Sequence, residues 1–210
     1  MKIIPFAIVL VLAACASKPA PPSWQPNAKD ALDGFTDAWL RGDSSIAATE
    51  FARARAETAR TGRPDLVAQV ELVRCAAQAA SLEFDDCPGY AALARDATPA
   101  QRAYADYIGG RWQGLDVALL PEQHRGVVSS GSLAGVDDPL ARLVAAGALF
   151  KAGRIAPADI GQATETASTQ GWRRPLLMWL GVSEKRAEAA GDGAALERIR
   201  RRIALATGGL

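Results

Sequence analysis

The chain has 210 residues, 49% of them hydrophobic, with 24 Lys or Arg against 23 Asp or Glu and a single histidine. That even balance supplies no basic surface for a phosphate backbone, so a nucleic-acid partner is excluded from the expectation, and one histidine leaves little for proton transfer near neutral pH. The length suits one compact domain or one short repeat array.

The chain opens with Met1-Lys2 and an apolar run from Ile3 to Ala14 interrupted only by Pro5. At about 12 residues the run is too short to span a bilayer as a mature helix, which needs roughly 18 or more, and it reads as the core of a secretory signal. Its end, Leu12-Ala13-Ala14-Cys15, resembles the lipobox of bacterial lipoproteins. The resemblance implies cleavage before Cys15, a diacylglycerol on its thiol and, in many Gram-negative species, a third acyl chain on its amine. Two or three chains make a stable anchor at about 0.8 kcal/mol per buried methylene. In that family an Asp after the cysteine retains the protein in the inner membrane; Ala16-Ser17 stands here, which implies the periplasmic face of the outer membrane. The domain plan is then a signal peptide over residues 1–14, a lipidated Cys15 with a Pro-rich tether over 15–27, and an all-helical domain over 28–210. An extended tether of this kind holds the domain roughly 30 to 40 Å from the lipid.

Beyond the tether, prolines stand where helices start and glycines where they stop, because Pro lacks only an N–H that a first turn does not need and Gly tolerates the left-handed end. Ala28, Ala31, Leu32, Phe35, Ala38 and Trp39 recur at three and four, predicting a helix ended by Gly42. Asp43 opens a second with Ile46, Ala47, Phe51 and Ala54, and Pro64 a third with Leu66, Val67, Val70 and Val73 that ends around Leu82. Further helices start at Pro88, Thr98-Pro99, Asp138-Pro139, Pro157, Pro175 and Ala194, with a turn or two from Pro121 through Val128. The Ser- and Gly-rich stretch 126–136 is the most loop-like, and no strand pattern is found.

Glycines 42, 114, 153 and 191 follow apolar helical stretches at intervals near 38 residues or twice that. The pattern resembles tetratricopeptide-type repeats. Ala47 and Phe51 match that family's A-x3-F and Leu180-Gly181 its L-G, although no unit carries the whole pattern. The predicted fold is all-α, helical hairpins packed in sequence and tetratricopeptide-like, with a compact helical bundle as the alternative.

The lipobox also resolves an odd number of cysteines. With Cys15 taken by lipid, Cys75 and Cys87 remain as a pair, and in an oxidising compartment they are expected to form a disulfide across a loop of about 13 residues. A redox or metal pair would need C-x-x-C spacing or a neighbouring ligand, and the sequence has neither.

Catalytic patterns are sparse. His124 lies in Pro121-Glu122-Gln123-His124-Arg125 and reads as a surface or helix-end residue. Ser129-Ser130-Gly131-Ser132 is no nucleophile elbow, there is no phosphate-binding loop, and Asp85-Asp86 and Asp137-Asp138 both precede prolines, where a helix cap is the simpler account. No catalytic residue, metal ligand or cofactor is expected. Trp112, Trp172, Arg173 and Arg174 are residue types that anchor interfaces and are the candidate partner-binding set, although the tryptophans would equally fill a core. Arg198, Arg200, Arg201 and Arg202 read as a solvated basic face. The functional expectation is a non-catalytic adaptor or scaffold for another envelope protein. A peptidoglycan-acting enzyme or its regulator, and a purely structural lipoprotein, are the alternatives.

Overall fold

The computed structural model describes residues 22–209. Cys15, the signal segment and most of the tether lie outside the described residues. Among the described residues the chain forms ten α-helices and one short 3₁₀ turn, with no strand.

The first hairpin pairs Trp24–Arg41 (α1) with Ser44–Ala59 (α2). Ala28, Ala31, Phe35 and Ala38 bury one face of α1. At its end the N–H groups of Gly42 and Asp43 both reach the Ala38 carbonyl, with Gly42 at φ 95°, the left-handed stop that glycine adopts without Cβ strain. The helix starts four residues before the expected boundary at Ala28. Pro26 falls in its first turn, where a missing N–H costs nothing, so the last part of the predicted tether is helical. In α2, Ala47 and Ala54 are buried and Phe51 meets Phe35 at 5.5 Å, whereas Ile46 is largely exposed.

The centre of the domain is Pro64–Ala80 (α3), eleven of whose residues are buried, crossed by Pro139–Lys151 (α7), with eight. They approach closely because Gly147 has no side chain: a Cβ there would overlap the Ala79 carbonyl. The C-terminal carbonyls of α3, which have no partner within the helix, are met from three sides. Trp39 of α1 donates its indole N–H to Ala77 at 3.1 Å, the Glu83 backbone N–H reaches Gln78 at 2.9 Å, and Trp179 donates to Ala80 at 3.1 Å.

Between α3 and α7 the chain makes smaller pieces rather than one full hairpin: Pro88–Ala91 (α4), Pro99–Ile108 (α5), a 3₁₀ turn at Val117–Leu119, and Glu122–Ser130 (α6). Thr98 and Gln101 form a reciprocal capping box on α5. The turn or two expected through Val128 runs on as helix to Ser130, inside the stretch read as most loop-like, after which Leu133 hangs by its N–H from buried Asp159 at 3.1 Å. A disulfide joins Cys75 of α3 to Cys87, Cα atoms 5.7 Å apart, and stabilises the fold by about 3 kcal/mol in the chain-entropy account.

The chain closes with Pro157–Thr169 (α8), Arg173–Ala190 (α9) and Gly193–Thr207 (α10), each against the helix before it. The fold is thus all-α, with neighbouring helices packed in sequence. A further long-range seam is added where α9 returns to α1.

Candidate functional site

The packing order leaves the outer face of α3 open between α1 on one side and α5 with α6 on the other. Two depressions lie along it, of about 560 Å³ and about 590 Å³. Thr36 of α1, Gln69 and Val73 of α3 and Leu140 of α7 line both, so they form one continuous groove. Its walls are mainly apolar, with Leu32 and Leu66 in one half and Leu72 and Val144 in the other. In the half nearer α5 the polar groups are mostly amides and hydroxyls, among them Gln69, Gln101 and Thr98 from α3 and the start of α5, whereas Lys29, Asp33 and Asp37 of α1 line the other half. A mainly apolar concavity with a few placed polar groups is the usual form of a binding site.

His124 stands at one end, in the first turn of α6, and it is buried rather than on the surface. Its ring lies 5.0 Å from that of Tyr107 and 5.8 Å from that of Tyr104, and its Nδ1 is 3.2 Å from the Tyr107 hydroxyl. Burial pushes its pKa down to about 4, against the opposing pull of the Asp138 carboxylate. The imidazole is therefore neutral near pH 7. Burial also pushes the Tyr107 phenol upward, so both partners of this hydrogen bond stay uncharged.

Among the described residues no convergent acid, base and nucleophile forms around it. Asp138 lines the same end, but its carboxylate accepts the Ala141 N–H at 2.7 Å as the cap of α7. Glu122 is exposed and is not among the lining residues. The hydroxyls of Ser129 and Ser130 bond to nearby backbone, and Asp85 accepts from Gln78 and from the Cys87 N–H. Among the described residues no group of three His, Cys, Asp or Glu side chains is placed to hold a metal ion.

The four candidate partner-binding residues separate. Trp172, at the start of α9, is half-buried and lines the far end of the groove with Trp24. Trp112 instead packs inward: it stacks on Tyr107 at 5.6 Å, donates to the Tyr107 carbonyl at 2.8 Å and lies under the Arg154 guanidinium. Arg174 is held inside the chain, donating to the Trp39 carbonyl, Glu83 and Ser44 while its guanidinium lies 4.0 Å from the centre of the Trp39 ring. Arg173 is exposed above Gly42. Within the C-terminal basic cluster, Arg200 pairs with Glu184 and Glu188, and Arg202 with Glu165, so much of that face is neutralised.

Sequence reasoning missed Thr36, Gln69, Tyr104 and Leu140. A usable signal existed for one of them: Tyr104 and Tyr107 are three apart on one helix and place two rings on the same side, as His124 requires.

Comparison of the chain with family models, curated proteins and solved structures finds no match. Among the described residues no helix is long and apolar enough to cross a membrane.

Proposed function

We propose that this chain is a non-catalytic adaptor of the bacterial envelope, anchored by lipid at Cys15 on the periplasmic face of the outer membrane, whose groove holds a segment of another envelope protein. The observation that carries the reading is the continuity of the groove: two depressions joined by four shared side chains suit an elongated apolar segment better than a compact metabolite. The amide N–H groups of Gln69, whose oxygen accepts from Gln101, can donate to a bound main chain, and Trp24 and Trp172 give one end an aromatic clamp. The anchor rests on the lipobox-like Leu12-Ala13-Ala14-Cys15.

The test is co-purification from detergent-solubilised envelopes, with the full chain compared with Thr36→Trp, which fills the shared middle of the groove. A stoichiometric partner present with the native chain and lost with Thr36→Trp is the expected result. A clean monomer in both cases, or a partner retained on the filled groove, overturns it. The anchor is tested separately: Cys15→Ser abolishes incorporation of labelled palmitate, whereas an unlabelled native chain would remove the lipid from the reading.

A further inference from the structure

A second surface lies away from the groove. On α9, Met178, Gly181, Val182, Lys185 and Ala189 recur at three and four and so share one face. With Phe150 from the end of α7 and Leu82 and Ile155 from the neighbouring loops, that face lines a shallow trough of about 700 Å³. Phe150 and Met178 are 37% and 40% exposed, two of the five exposed large hydrophobic side chains among the described residues. Clustering of this kind marks an interaction surface more than a scattered surface leucine does.

The aromatic part is already fixed in place. Phe150 stacks on Phe84 at 6.4 Å with nearly parallel planes and meets buried Trp179 edge-on at 6.0 Å. A residue so held loses little conformational freedom when a partner covers it. A Cβ built on Gly181 meets nothing within 4 Å, so the middle of the floor is open to close approach. From Met178 to Ala189 the face runs about 17 Å at 1.5 Å per residue, the contact length of about three turns of a second helix. Its charge is one-sided. The lining includes Lys185 and Arg186 but no acidic side chain, and Lys151, paired with Asp86 at 3.8 Å, stands beside Phe150 over the Phe84 ring. Lys185 is held by Glu188 at the edge, while Arg186 makes no ion pair among the described residues.

We infer that this face of α9 is a docking surface for an amphipathic helix of a protein partner, with an apolar stripe against Phe150, Met178 and Val182 and carboxylates toward Lys185 and Arg186. A recessed trough favours the ridge of a helix over a flat bilayer, into which apolar side chains would have to protrude. The inference is independent of the groove. An adaptor with two faces of different chemistry can hold two partners together, yet either face can fail alone.

The test uses the full chain in nanodiscs of zwitterionic lipid, with empty discs as the blank. The probes are two labelled synthetic amphipathic helices of about 18 residues, each with a leucine stripe, one flanked by Glu and the other by Lys. The Glu-flanked helix is expected to bind at least roughly tenfold tighter. Lys185→Glu with Arg186→Glu should reverse the order, and Met178→Glu should weaken both. Circular dichroism verifies that these exposed-site variants keep their helix content. Equal binding of the two probes, or binding indifferent to Met178→Glu, overturns the inference. So does loss of the Glu-flanked probe when phosphatidylglycerol replaces the zwitterionic lipid, which would assign the face to the membrane.

Discussion

A histidine free in water gains its proton near pH 6.5, whereas His124, enclosed by Tyr104 and Tyr107, holds off until about pH 4. As the pH falls through this window the unfolded chain takes up the proton first. The stability contributed by the neutral imidazole is therefore complete above pH 6.5 and lost progressively toward pH 4, by about 3 kcal/mol in total. Urea midpoints measured from pH 7 to pH 4.5 should fall more steeply for the native chain than for His124→Gln, which cannot titrate there. Parallel slopes would show that His124 is solvated. Its place in a helix-start sequence was legible, but its burial was not, because the rings that enclose it come from a different helix and only the fold brings them together.

At the scale of the element, the prolines at residues 64, 88, 99, 139 and 157 each begin a helix as read from sequence, because their effect on the backbone is local. The errors arose where local signals conflict. Trp24 to Asn27 looked like tether because of Pro26, and 129–130 like loop because of its small residues, yet both are helical. Contacts between elements were harder to foresee, and Arg174 shows why. Its donors reach residues up to 135 positions away, tying α9 to α1, to the start of α2 and to the loop after α3. Removing it with Arg174→Ala deprives the Trp39 carbonyl and the Glu83 carboxylate of a partner and should lower stability by about 2–4 kcal/mol. Arg174→Lys should recover less than half of that, since an ammonium cannot match the planar fork or its stack on Trp39. Thermal denaturation of the two variants decides between this seam and an incidental surface contact.

Across the whole molecule, stability is distributed from the α3–α7 crossing outward. The last helix, α10, has no fully buried residue and packs chiefly on α9, as the end unit of a sequential array would. Deleting the chain from Asp192 onward should therefore cost about 2–4 kcal/mol of apolar contact and leave a cooperatively folded remainder. Its helix loss should correspond to the fifteen residues of α10 alone. A molten or insoluble product would mean that α10 supports the core. The all-α class and the hairpin order were legible because they follow from period and punctuation. The groove was not, since Thr36, Gln69 and Leu140 lie on three helices and none has an unusual sequence context. The seam between α1 and α9 has one more consequence, which is mechanical. The N-terminal segment enters the domain through α1, which is also a wall of the groove and is fastened at its far end by Arg174. Tension applied at Pro22 would load that wall before any other helix, so a pull on the start of α1 and the width of the groove are coupled through a single element.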